Sequence, residues 1–269
     1  MNIHVLQTGS TLVSSAVPDR SSHRWGLAYT DLFQRRSKRI CVPVKAFLVE
    51  TEGHRVLVDT GWSEACVSHP LRHLGFGLWF ASEPVISEGE GVPAQLEKMG
   101  LAPEDLDAII LTHLDCDHAS GLVALKGAKH VFCSAEEWAE AQTANVRYRS
   151  QLWEGVDIAC LEMADDSAAP FGKSCDVFGD GSIMAYLTPG HTKGSVAVLA
   201  RGETGYAAFV GDDSYNRHSW EDQKLPGPLD DADAMKRTLA WVRGFSQDPA
   251  CLGIYAAHDP EGPQGGSGL

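Results

Sequence analysis

Residues 108–121, Ala-Ile-Ile-Leu-Thr-His-Leu-Asp-Cys-Asp-His-Ala-Ser-Gly, constrain this chain more than any other stretch. β-favouring aliphatics run straight into His113, Asp115, Asp117 and His118, four side chains able to hold a metal, and the run closes on small residues. A buried strand that ends in such a cluster delivers chemistry at its tip, where a loop aims the side chains. The two-residue step from His113 to Asp115 turns both one way, and Asp117 with His118 turns another, so one loop is able to serve two cations. The plainer alternative is a solvated acidic turn with two incidental histidines, but four ligand types after one apolar strand point to metal binding.

Other apolar runs repeat the arrangement. Residues 183–187 read as a strand ending at Thr188-Pro189-Gly190-His191, residues 206–210 as one ending at Gly211-Asp212-Asp213-Ser214-Tyr215, and residues 252–256 as one ending at His258-Asp259. Strands that each finish in His or Asp are expected to bring those groups to one edge of a layered α/β structure. Residues 3–8 read as the first strand, 44–50 and 55–59 as a hairpin across Thr51-Glu52-Gly53-His54, and 129–133 and 196–200 as further strands. Asp59, ahead of Thr60-Gly61, reads as a buttress accepting backbone N–H bonds rather than a ligand.

Helices are expected over 92–99, closed by Gly100 in the left-handed region, from Ser134 to Gln142 with a Ser134/Glu137 capping box, and over 230–245 with Met235, Leu239 and Val242 on one face. Residues 9–39 lack periodicity and are either a loop offering Trp25, Tyr29 or Phe33 to a pocket or an irregular packed connection. The loop with His69, His73, Phe76, Trp79 and Phe80 reads as an apolar flap whose histidines are ordinary packed or surface residues. The loops near Trp25 and Trp79 suggest a greasy pocket. Residues 146–181 carry no evident chemistry, and the Gly-Gly-Ser-Gly tail reads as flexible.

Composition narrows the function classes. A chain of 269 residues, 43% hydrophobic, buries a substantial core, and one domain over residues 1–269 is the expectation. A formal net charge of −14 argues against a nucleic-acid partner, which requires basic patches. The one dense basic cluster, residues 35–39, reads as a solvated loop. No apolar run approaches membrane-spanning length and no secretory leader is recognisable, so no membrane partner and a cytoplasmic location are expected. Seven scattered cysteines without a C-x-x-C pair read as free thiols.

The ordered set His113-x-Asp115-x-Asp117-His118, His191 in a Thr-Pro-Gly-His turn, Asp212 after a strand and a late His258 resembles the metallo-β-lactamase-fold hydrolases. Asp59-Thr60-Gly61 and the run Leu-Ala-Pro-Glu-Asp-Leu-Asp-Ala ahead of the motif look like that family too, and several ordered motifs are far more specific than one. The resemblance implies an α/β fold, the four-layer αββα sandwich, with metals at one edge of two facing mixed sheets. Asp212-Asp213-Ser214-Tyr215 is similar to the Asp-x-Ser-Tyr of the N-acyl-homoserine lactonase branch, whereas hydroxyacylglutathione hydrolases would carry a helical extension beyond the last His.

By that resemblance His113, Asp115 and His191 hold one divalent ion, Asp117, His118 and His258 a second, and Asp212 bridges. Asp117 shuttles the proton, Tyr215 hydrogen-bonds the substrate, Asp59 or Thr112 orients imidazoles, and Cys116 packs away. The implied partner is a small-molecule lactone or other ester, with a homodimer left open. A thioester or other ester hydrolase of the same fold, or a degenerate one-metal or non-catalytic binding or sensor member, are the alternatives. One departure stands out. The family pattern is His-x-His-x-Asp-His, and Asp115 replaces its second His. A carboxylate is a harder, charged donor that shifts preference from zinc toward iron or manganese, as in the flavo-diiron proteins, unless Asp115 fails to reach and leaves its site weak.

Overall fold

The computed structural model describes residues 1–22, 28–30, 36–143, 145–262 and 267–268; Trp25, Phe33 and Arg35 lie outside the described residues. Two sheets face each other. The first joins β1 (Asn2–Val13), β2 (Ile40–Glu50), β3 (Arg55–Val58), β4 (Glu83–Val85), β5 (Ala108–Ile110), β6 (Val131–Cys133), β7 (Ala159–Cys160) and β14 (Ser267–Gly268) in the order β14-β1-β2-β3-β5-β6-β7, with β4 also on β1. The second runs β13 (Cys251–Ala256), β12 (Tyr206–Gly211), β11 (Val196–Arg201), β10 (Ile183–Leu187), β9 (Lys173–Asp176) and β8 (Ala164–Asp165).

Period-two alternation explains the layering. On β2, Val44, Ala46 and Leu48 belong to one buried cluster while Phe47 and Val49 belong to another. Leu57 and Ile109 join the first cluster, and Val56, Val58, Ala108 and Ile110 the second. The second cluster is the shared interface, because Ala185, Val198, Ala207 and Phe209 enter it from the other sheet. The opposite faces of those strands, at Tyr186, Leu199, Ala208 and Val210, pack with Met235, Leu239 and Val242. Sheets covered on both faces are written as nearly unbroken apolar runs, which is how β5 and β12 read. The outer layers are helices: α1 (Ala65–Ser68), α2 (Pro70–Ala81), α3 (Val92–Lys98), α4 (Cys116–Ala119) and α5 (Ala135–Ala141) in the first half, and α6 (Arg217–Glu221) and α7 (Ala232–Phe245) in the second. The architecture is the αββα sandwich.

Direction then fixes where chemistry gathers. β3 and β5 are parallel, as are β12 and β13, and β10 runs the same way as β12 because β11 is antiparallel to both. The carboxyl ends of β3 and β5 therefore lie together, as do those of β10, β12 and β13, and open sheets of this kind put ligands at that edge. The bond from Val196 N–H to Thr112 O (2.9 Å) ties the two sheets together beside it.

Four expectations are corrected. β1 does not stop at Thr8: Gly9, at φ +81°, absorbs a register shift and the strand continues to Val13. The flap of residues 69–80 is helix α2, kinked at Gly75 (φ 76°), which masked its periodicity. The basic cluster is solvated at Arg36, Ser37 and Lys38, as expected, but the Arg39 side chain is buried and, like Arg36, pairs with Glu83. In the tail, Ser267 and Gly268 pair with Ile3 and Asn2. No helix among the described residues is long and apolar enough to cross a membrane.

Candidate metal centre

Seven side chains converge at the shared edge. The candidate-ligand atoms of His113, Asp115, His191 and Asp212 lie within 4.8 Å of one another, as do those of Asp117, His118 and His258. His113 and Asp115 follow β5, Asp117 and His118 sit on the short helix α4, His191 follows β10, and Asp212 and His258 follow β12 and β13. Asp212 spans the two groups. Its Oδ1 lies 3.2 Å from His118 Nε2 and 3.1 Å from His258 Nε2, while its Oδ2 lies 3.4 Å from His191 Nε2 and 3.9 Å from His113 Nε2. Asp117 Oδ2 is 3.5 Å from His258 Nε2.

Each imidazole is held from behind at Nδ1. His118 donates to Asp59 Oδ2 (2.8 Å), His258 to Pro43 O (2.8 Å) and His191 to Pro228 O (3.0 Å). His113 Nδ1 meets Thr112 Oγ1 (3.0 Å), whose own proton goes to Asp59 (2.8 Å). Carbonyls and carboxylates only accept, so the proton sits on Nδ1 and the Nε2 lone pair faces inward. The Nε2 atoms of His113, His118 and His258 and Asp212 Oδ1 are buried without a hydrogen-bond partner.

Orphaned lone pairs are costly unless something electrophilic collects them. Metal–nitrogen and metal–oxygen bonds of about 2.0–2.1 Å at tetrahedral angles put ligand atoms roughly 3.3–3.4 Å apart. The Nε2 to Asp212 Oδ1 separations match that spacing, so these residues fit a divalent cation.

The electrostatics ask for the same thing. Burial opposes ionisation of Asp212, but His258 and His118 hold it well below the carboxylate range. Burial likewise opposes charging His118 and His258, yet Asp212 raises both above the ordinary imidazole value, with Asp59 adding at His118 and Asp117 at His258. The cluster draws in positive charge, as protons or as metal. Asp213 is different: burial, with Asp212 alongside, pushes its carboxyl well up, toward the neutral acid.

The scaffolding carries its own strain and support. Asp59 is buried at φ +60°, a conformation Asp tolerates better than most residues. From there its Oδ1 accepts the Thr112 N–H (2.8 Å) and its Oδ2 the His118 ring. Gly211, at φ +47°, lets β12 pass so close to Thr112 that a Cβ would stand 2.5 Å from the threonine hydroxyl. Lys45, wholly buried, donates Nζ to the Asp259 carbonyl beside His258.

Tyr215 is buried with its ring stacked on His258 (centroids 5.0 Å, 21°). Burial and the neighbouring Asp212 raise its phenol well above the ordinary value, leaving a protonated donor at the site. Cys116 packs in the helix-side core, where burial first and Asp117 second keep its thiol protonated. Above the cluster lies a cavity of about 640 Å³, floored by Asp117, Asp212, Tyr215 and His258 and walled by Val13, Val17, Tyr29, Val42, Leu78, Phe80 and Leu229. The segment around Trp79 does border the cavity, through Leu78 and Phe80, while the Trp79 ring itself packs against the helix-side core.

Two residues escaped sequence reasoning. Glu137, read as half of a capping box, does receive its N-cap partner, since Ser134 accepts the Glu137 N–H. Its carboxylate, however, turns away to accept Leu114 N–H (2.8 Å) and the Tyr148 hydroxyl (3.0 Å), pinning the motif loop. Arg147, in a stretch that promised no chemistry, grips both oxygens of Asp115 (2.5 and 2.7 Å). An acid in place of an imidazole signals that a counter-charge must exist, but nothing local says which basic residue supplies it.

Comparisons with known proteins agree with this geometry. The family model described as the metallo-beta-lactamase superfamily matches residues 39–249. The N-acyl homoserine lactonase AttM of Azorhizobium caulinodans is 25% identical over 225 residues, spanning 82% of this chain and 83% of that protein. The N-acyl homoserine lactonase of Bacillus cereus is 28% identical over 183 residues, 68% of each. Among solved structures, an N-acyl homoserine lactone hydrolase with the product N-hexanoyl-L-homoserine bound at its catalytic metal centre shares the fold at a TM-score of 0.75 and 21% identity, covering 97% of this chain and 94% of that one.

Proposed function

The chain belongs to the metallo-β-lactamase superfamily, and from that premise we propose that it is a metal-dependent hydrolase opening the ester bond of a small lactone with an apolar tail, as in an N-acyl homoserine lactone. The observation that carries this reading is the set of inward, unpartnered Nε2 and Oδ1 atoms at the floor of an apolar-walled cavity. The cavity volume suits a small molecule, and its aliphatic and aromatic wall suits an acyl chain better than a charged carrier. The lactonases among the relatives support the same choice.

In this proposal Asp117, His118 and His258 hold one divalent ion, His113, Asp115 and His191 form the second half of the centre, and Asp212 joins the halves. A divalent cation bound there supplies Lewis-acid polarisation of the ester carbonyl and an acidic water. The carboxylate of Asp117, which lines the cavity, accepts the proton of the attacking water and returns it to the departing ring oxygen. The Tyr215 phenol, kept protonated, donates a hydrogen bond to the carbonyl oxygen or the leaving alkoxide. Asp59 and Thr112 keep the imidazoles of His118 and His113 in the binding tautomer. Where Asp115 is released to bind a metal, its carboxylate favours iron or manganese over zinc relative to an imidazole there.

The test is ring opening by metal-loaded protein, followed as acid release, across lactones of graded tail length and against thioesters. We expect lactones to be the better substrates and Asp117→Asn to lose about 10²–10⁴-fold in kcat. A lactone panel left intact, or Asp117→Asn indistinguishable from the parent, refutes the proposal; faster thioester turnover reassigns the substrate class.

A further inference from the structure

The two halves of the centre are not equivalent. In the half built from Asp117, His118 and His258, both Nε2 lone pairs and the Asp212 oxygen facing them have no hydrogen-bond partner. In the other half, among the described residues, His113 Nε2 is buried without a hydrogen-bond partner, 3.5 Å from Asp115 Oδ2, whereas His191 Nε2 and Asp115 are engaged. Arg147 Nη2 donates to His191 Nε2 (2.6 Å) and to Asp115 Oδ2 (2.7 Å), Nε donates to Asp115 Oδ1, and Nη1 donates to His191 O (3.0 Å). Asp230 stands near Nη1 at 3.6 Å.

An imidazole nitrogen has one in-plane lone pair. His191 Nε2 therefore serves either the guanidinium or a metal, and its Nδ1, bonded to Pro228 O, offers no alternative. Both carboxylate oxygens of Asp115 are committed to the same group in the bidentate geometry that makes Arg–carboxylate pairs strong. Charge tells the same story. Asp115 and Arg147 together are neutral, like the imidazole that the family motif places at this position, so the pair restores the motif's charge without restoring its free lone pair.

Resting on the metal-dependent reading above, we infer that Arg147 is the resident cation of the His113–Asp115–His191 half, so that the chain takes up one metal ion strongly at Asp117, His118, His258 and Asp212, and a second only when Arg147 withdraws. The guanidinium lines the cavity, so it presents a fixed positive charge to a substrate carbonyl or product carboxylate from the side where a second ion would otherwise stand. The second-site affinity is thereby set by the strength of an internal ion pair, and Arg147 is a positioning residue for the metal rather than a ligand.

The experiment is titration of metal-free protein with Mn(II), read by calorimetry and by electron paramagnetic resonance, for the parent, Arg147→Met and Asp115→His. The parent should bind one ion tightly and give the spectrum of an isolated ion. Arg147→Met, which frees His191 and leaves Asp115 seeking a cation, should gain about 100-fold or more in affinity for a second ion, the scale set by breaking a buried pair, with the spectrum of a coupled pair. Asp115→His removes the anchor that holds the guanidinium and should shift the same way without deleting Arg147, which covers the case of Arg147→Met failing to fold. Two ions bound with equal affinity by the parent, or a second site unchanged in both variants, overturns the inference while leaving the metal-dependent reading intact. No binding of any ion by the folded parent overturns both.

Discussion

Replacing Asp59 by Asn tests how the sandwich edge controls metal binding, because the change keeps shape but replaces one charged acceptor oxygen with an amide donor. Asp59 Oδ1 accepts the Thr112 N–H at 2.8 Å, and Oδ2 accepts the His118 Nδ1 proton at 2.8 Å. An asparagine has a single carbonyl oxygen. The rigid backbone N–H of Thr112 claims it, so the amide NH₂ is turned toward His118. Two donors cannot face each other, and His118 must move its proton to Nε2, cancelling the inward lone pair.

A hydrogen bond to a charged group is worth about 1.5–3 kcal/mol, and changes behind a metal ligand cost roughly 10–100-fold in affinity. We therefore expect Asp59→Asn to bind Zn(II) or Mn(II) at the tight site roughly 10–100-fold more weakly, by competition with a chromophoric chelator. Folding should suffer little, since Asn also tolerates the positive φ of 60° found there. Unchanged metal affinity in Asp59→Asn refutes the argument that this carboxylate sets the tautomer.

Other expectations follow from single contacts. Tyr215→Phe keeps the ring stacked on His258 and removes the donor, so kcat/KM should fall about tenfold with metal content unchanged by elemental analysis. Phe80→Ala strips an aromatic wall from the cavity and should raise KM about tenfold or more for long-tailed lactones while sparing short ones. Gly211→Val forces a side chain into a φ of +47° with its Cβ at 2.5 Å from Thr112 Oγ1, and should cost about 2–4 kcal/mol in urea unfolding.

What was legible in the sequence follows a physical division. β5, β10, β12 and β13 are buried or partly buried runs that end in His or Asp, so both strand and ligand were visible in consecutive letters. Elements were missed where glycine served as a hinge rather than a stop. Gly9 bends β1 without ending it, and Gly75 kinks α2. Partnerships across long sequence separations were invisible. Arg147 meets Asp115 from 32 positions away and Lys45 reaches Asp259 across 214, and no local pattern encodes either choice. Glu137 was found for a local reason and used for a distant one, because a capping glutamate and a loop-pinning glutamate look alike in the sequence.

The most direct measurement is anomalous diffraction from crystals grown with Mn(II) or Zn(II). The account predicts a strong peak about 2.0–2.2 Å from the Nε2 atoms of both His118 and His258, and within reach of Asp212 Oδ1 and Asp117. Crystals of the folded protein with no anomalous peak between those imidazoles would contradict it.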